Sequence, residues 1–112
     1  MASSLSEFQL KVAAFRDERD WDQYHDPKSL VIAITAELGE LAEHFLWLTS
    51  EESRHLPSDV RGEVGQEMAD VALFLLNLAN SLDLDLGDEI ERKIEINRQR
   101  YPPGNSDPRA NS

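Results

Sequence analysis

The chain has 112 residues, enough for one domain built around one core. Hydrophobic residues make up 40% of it, which excludes a disordered chain, but no run approaches the roughly 18–20 apolar residues of a membrane span. With 22 acidic against 11 basic side chains the formal charge is −11, which disfavours nucleic acid as a partner unless bound metal inverts the local charge.

The start, MASSLSEFQLK, lacks the basic-then-apolar layout of a secretory signal, and the chain contains no cysteine. Both features fit a cytoplasmic protein, and the second excludes disulfides and thiolate metal sites. A first helix is predicted over residues 6–18, with Phe8, Val12 and Phe15 on one stripe and Ser4 and Glu7 spaced as a capping box. RDWDQYHDP breaks the period. Asp26-Pro27 then reads as an N-cap followed by proline at the first helical position.

The second helix is predicted from there to about residue 48, through Ile34, Leu38, Leu41, Phe45 and Leu48. TSEESRHLP is a connector with room for one helical turn. A long third helix fits residues 58–82, through Val60, Val64, Met68, Val71, Leu75, Leu78 and Leu82. Gly62 and Gly65 weaken its start by up to about 1 kcal/mol each relative to alanine, so fraying or a kink is expected there. Asp83 or Asp85 caps a fourth helix over 86–100, with Ile90 and Ile94 facing inward and Lys93, Arg98 and Arg100 toward its C-terminus, where positive charge suits the dipole. YPPGNSDPRANS stops the helix, and residues 102–112 are expected to form a disordered tail.

Four helices with short connections predict a single all-α, four-helix-bundle-like domain over residues 1–101. The third helix is nearly apolar all round between Val71 and Leu78, more than a lone small bundle needs to bury. That excess predicts self-association as a homodimer or homotetramer.

Glu37 and Glu40 on the second helix, and Glu67 and Asp70 on the third, are each three residues apart and so share a helix face. Their phase sets them beside apolar stripes: Glu67 is seven residues before Phe74, Asp70 four before it, and Glu40 seven before Trp47. Carboxylates drawn together there repel one another and resist desolvation. A hard divalent cation, Mg²⁺ or Mn²⁺, resolves the conflict and keeps open positions that suit a phosphorylated ligand. One such pair on an acidic helix is ordinarily a solvated face, and Glu40-Glu43 and Glu63-Glu67 are rival pairs on the same helices; two stripe-embedded pairs on successive helices leave metal binding and solvated faces evenly matched. A di-iron carboxylate bundle fits poorly, because nothing like a Glu-x-x-His motif follows Asp70.

ELGEL followed by EMADV resembles the E-x-x-E … E-x-x-D signature of the MazG-like all-α nucleoside triphosphate pyrophosphohydrolases. FRDERDWDQYHDPKSL, FLW and KIEINRQRYP are similar to the dCTP pyrophosphatase branch, so the resemblance spans about residues 15–102. It implies that Glu37, Glu40, Glu67 and Asp70 are Mg²⁺ ligands and catalytic residues. The implied reaction converts a nucleoside triphosphate, dCTP or a modified dCTP, to monophosphate and pyrophosphate, with one carboxylate, Glu40 among the candidates, orienting water. The resemblance also implies Trp21 and Trp47 around base and sugar, His25 on the pocket wall, and Lys93, Asn97, Arg100 and Tyr101 near phosphate or sugar. The chain departs from close relatives at Val12, where they tend to carry histidine, at Phe74, where they tend to carry tyrosine, and at Ser29, where asparagine is common. The first two positions could touch the nucleotide, which leaves base preference less secure than hydrolysis. His44 and His55 read as surface or packing residues. The competing reading is a nonenzymatic helical interaction module whose acidic faces are solvated.

Overall fold

Six helical segments and no strand make up residues 4–104, the part of the chain that the computed structural model describes. They are α1 (Leu5–Glu18), a 3-10 turn (Asp22–Tyr24), α2 (Pro27–Glu43), α3 (Ser50–Ser53), α4 (Ser58–Ser81) and α5 (Leu86–Arg100). From residue 105 onward the expected tail lies outside the described residues. None of the described helices is long and apolar enough to cross a membrane.

The caps explain most of the boundaries. Ser4 accepts the amide of Glu7 at 3.2 Å, Asp26 that of Ser29 at 3.0 Å, and Asp85 that of Asp88 at 3.0 Å. Pro27 opens α2 as the sequence predicts. Both α1 and α4 end in the same stop. Asp20 (φ 58°) and Asp83 (φ 54°) turn left-handed, a conformation that short polar side chains tolerate better than bulky ones. The amides of Asp20 and Trp21 then return to the carbonyls of Asp17 and Arg16 at 3.2 and 3.0 Å, while those of Asp83 and Leu84 return to Asn80 and Ala79 at 3.2 and 2.9 Å.

Three expectations need correction. The second helix stops at Glu43 rather than near residue 48. His44, Phe45 and Leu48 bond back three residues instead of four, so the chain tightens into turns although its apolar spacing continues. Histidine and the aromatics are weaker helix formers than the Ala-Glu-Leu run before them. Thr49 then starts α3 with a full capping box, its hydroxyl accepting from Glu52 N at 3.1 Å and its amide donating to the Glu52 carboxylate at 2.9 Å. Second, α4 runs unbroken through Gly62 and Gly65. It packs on both α1 and α2, and such tertiary support outweighs a propensity deficit of this size.

The third correction concerns α5. Ile90 and Ile94, expected to face inward, are exposed, and among the described residues α5 meets chiefly α1. The radius of gyration, 16.7 Å, exceeds the roughly 13 Å of a compact chain of this length, in keeping with an arm that leaves the bundle. The core is correspondingly small: Val12, Leu30, Val64, Leu76 and Ala79, with Leu30 only 2% exposed. Gln9 ties α1 to the α4–α5 corner, donating to Asn80 Oδ1 and Leu84 O at 2.9 and 3.0 Å and accepting from Leu86 N at 2.9 Å.

Candidate active site

Packing of α2 on α4 brings the two acidic pairs together. Burial pushes the Glu37 carboxyl above its ordinary value, and the negative charges of Glu40, Asp70 and Glu67 push it in the same direction. Glu37 therefore reports a shared field from all three partners. Its Oε2 is sealed from solvent without a hydrogen-bond donor, and so is Oε2 of Glu67. The Glu67 oxygen lies 2.9 Å from His44 Nε2, close enough for an ion pair but not directed as a hydrogen bond. The sealed Glu37 oxygen has no positive partner and that of Glu67 has only His44, and a hard divalent cation has the right chemistry for this donor set. Among the described residues, however, no three such side chains are already drawn into one cluster around a common point.

Beside the quartet lies a largely apolar cavity of about 410 Å³. From α1 it takes Phe8, Lys11, Val12, Phe15 and Arg16; from the following loop, Trp21 and His25. Its third side is a single stripe of α4, Asp70, Leu73, Phe74 and Asn77, at the spacing that puts all four on one helix face. Asp70 is thus a member of both the acidic group and the cavity wall.

The stop at the end of α1 fixes the aromatic wall. Trp21 follows the left-handed Asp20, and its ring meets the edge of Phe15, six residues earlier, at a centroid distance of 5.7 Å and an interplanar angle of 67°. An apolar contact across the stop commonly accompanies this motif. The Arg19 guanidinium covers Phe15 at 3.5 Å. His25 stands 6.5 Å from Trp21, and its carbonyl accepts the Ser81 hydroxyl at 2.6 Å, pinning the loop to α4. Its Nδ1 is buried without a partner. Arg16 is held by Asp17 at 2.9 Å and Asp22 at 3.6 Å.

Of the residues singled out in the sequence, Trp21, His25, Phe74 and Asp70 line this cavity, and Glu37, Glu40 and Glu67 adjoin it through Asp70. Val12 and Phe74, two of the departures, both lie in the wall. Trp47 does not: it is 89% exposed on the turns after α2. Lys93, Asn97 and Arg100 on α5, and Tyr101 just after it, are also outside the cavity wall of their own chain, although Asn97 Oδ1 is buried without a donor. Lys11, Arg16 and Asn77 were not foreseen. Asn77 had a legible signal, lying seven residues after Asp70 and three after Phe74, in phase with both. His44, read as surface or packing, instead faces Glu67, while His55 is exposed beside Glu51 at 3.0 Å.

Comparison with known proteins bears on the same residues. A sequence model of the MazG-like family matches residues 32–110. The dCTP pyrophosphatase 1 of Mus musculus is 38% identical over 101 residues, covering 88% of this chain and 59% of the mouse protein. The dCTP pyrophosphatase 1 of Homo sapiens gives the same identity and coverage, so this chain spans about three-fifths of the length of these relatives. Among solved structures, a pyrophosphatase from Archaeoglobus fulgidus superposes with a TM-score of 0.81 at 35% identity, over 91% of this chain and 95% of that one. The match in sequence takes in all four acidic positions, Glu37 and Glu40 on α2 and Glu67 and Asp70 on α4, together with the α4 stripe, and the match in fold covers nearly the whole chain: it belongs to the MazG-like family.

Proposed function

We propose that the protein is a Mg²⁺-dependent nucleoside triphosphate pyrophosphohydrolase that clears dCTP or a modified dCTP from the nucleotide pool. The observation that carries this reading is the double membership of Asp70, which sits in the repelling carboxylate group and in the wall of an aromatic cavity. A site for a polyphosphate-bound cation and a site for a base adjoin at one residue. The names of the relatives point the same way.

Glu37, Glu40, Glu67 and Asp70 would hold the metal, with Mn²⁺ a possible substitute. Bound there, the cation supplies charge neutralisation on the phosphates and a more acidic water. Glu40, exposed on the same face as Glu37, is the candidate to orient the attacking water. Attack at the α-phosphorus breaks the α–β phosphoanhydride bond, leaving monophosphate and pyrophosphate. The cavity wall holds the base, with the Trp21 face for stacking and Lys11 and Arg16 supplying positive charge. Occupying the quartet requires Glu67 to exchange its contact with His44 for the metal.

The reading includes self-association as a dimer or tetramer. Support comes from apolar side chains left exposed on the bundle (Ile32, Leu38, Met68 and Leu73) and from the arm-like α5. Assembly is also the means by which Trp47, Lys93, Asn97, Arg100 and Tyr101 would reach a nucleotide. A cytoplasmic location belongs to the same reading. The interaction-module alternative expects solvated acidic faces, whereas Glu37 and Glu67 each seal an oxygen from water.

The test uses Glu40→Gln and Asp70→Asn, which keep side-chain size and remove one charge each. Both should remain folded by circular dichroism and lose most Mg²⁺-dependent release of pyrophosphate. Wild-type turnover in both variants rules out the quartet as the catalytic centre.

A further inference from the structure

Asn77 is the one polar side chain among the buried residues of the described part of the chain, 8% exposed, and it lies in the cavity wall. Its amide nitrogen donates to the Leu73 carbonyl one turn back on the same helix, at 3.0 Å. That bond assigns the amide, because the reversed orientation would set two oxygens against each other. Oδ1 has no hydrogen-bond partner and no appreciable accessible surface, so it meets a ligand in the cavity once the side chain turns toward it. A buried acceptor without a donor is costly unless a ligand supplies one.

Position along α4 says which part of a ligand this is. Asp70 and Asn77 share one stripe and are separated by roughly 10 Å of helix, with Phe74 between them. That span matches a nucleoside laid from its 5′ phosphate, at the acidic end, to the far edge of its base. We propose that Asn77 is a specificity-determining residue whose Oδ1 reads the base by accepting a hydrogen bond from an exocyclic amine. Cytosine presents such an amine on its Watson–Crick edge; uracil and thymine present a carbonyl oxygen there, which would meet Oδ1 acceptor to acceptor. His25, a residue of the same wall whose Nδ1 is also buried without a partner, is a second group able to pair with that edge. The proposal rests on the nucleotide-hydrolysing reading and adds to it the structural origin of base choice.

The test compares kcat/KM for dCTP and dUTP, measured as pyrophosphate release, in wild type and in Asn77→Leu. Wild type should favour dCTP by about 10-fold or more, and N77L should erase most of that ratio. Because a ratio within one preparation cancels differences in folded fraction, partial misfolding does not mimic the effect. If N77L does not fold at all, wild type is assayed with dCTP against its N4,N4-dimethyl derivative, which lacks the donor and should lose a similar factor. An unchanged ratio in N77L, or a wild type indifferent to base, overturns the role of Asn77 and leaves hydrolysis standing. Absence of pyrophosphate from any triphosphate overturns both.

Discussion

Replacing Trp21 by alanine separates binding from folding at this site. The ring is 43% exposed, so it keeps a free face toward the cavity while its inner side rests on Phe15 at 5.7 Å. Stacking a base on an aromatic ring contributes about 1–3 kcal/mol, which translates to about 5- to 150-fold in Kd. The Phe15 contact is worth about 0.5–1.5 kcal/mol to the fold, so Trp21→Ala should lower stability only modestly. Calorimetric titration with dCMP reads the affinity without needing turnover, and urea unfolding reads the stability. A folded W21A that binds dCMP within about twofold of wild type, well inside the stacking range, refutes the placement of the base against this wall. Trp47→Ala makes the companion measurement. Affinity falls there only if self-association completes the site, since Trp47 lies outside the cavity of its own chain.

Glu37→Gln should raise stability in metal-free buffer. The Glu37 carboxyl is raised above 4.5, so its favourable contribution is complete below that value and is lost as pH rises through the raised one. The stability gap between E37Q and wild type, read from melting temperatures, should therefore widen as pH rises from about 4 to 7, and Mg²⁺ should stabilise wild type but not the variant. Leu30→Ala empties the most buried position of α2 and should cost about 2–5 kcal/mol in urea unfolding. Gly62→Ala meets nothing within 4 Å and should stabilise α4 by up to about 1 kcal/mol. A destabilised G62A would show instead that another subunit packs against that face.

The approach of the two acidic pairs was legible because carboxylates in phase with apolar stripes conflict with burial, and two pairs on successive helices repeat the conflict. Helix starts were legible for a similar reason, as Ser4, Asp26 and Asp85 sit where a cap must be. The end of α2 was not, since Phe45 and Leu48 continue its spacing while the backbone changes from four-residue to three-residue bonding. Periodicity records which side faces inward, not how the chain is hydrogen-bonded. The T-x-x-E spacing of Thr49 and Glu52 was the available signal for α3. Asn77 is hard to single out in the sequence because a lone polar residue in an apolar run is a small deviation until its partners, or its lack of one, can be seen. The exposure of Ile90 and Ile94 belongs to another level again, since an apolar stripe does not say whether its own chain covers it.

In the proposed function this acidic bundle end and its aromatic cavity cut a nucleoside triphosphate between the α- and β-phosphates with a divalent metal. Phosphorus NMR of dCTP incubated with the protein tests it directly. Pyrophosphate and dCMP should appear in equal amounts with Mg²⁺ present, and neither after chelation. Orthophosphate with dCDP, or turnover indifferent to chelator, would contradict it.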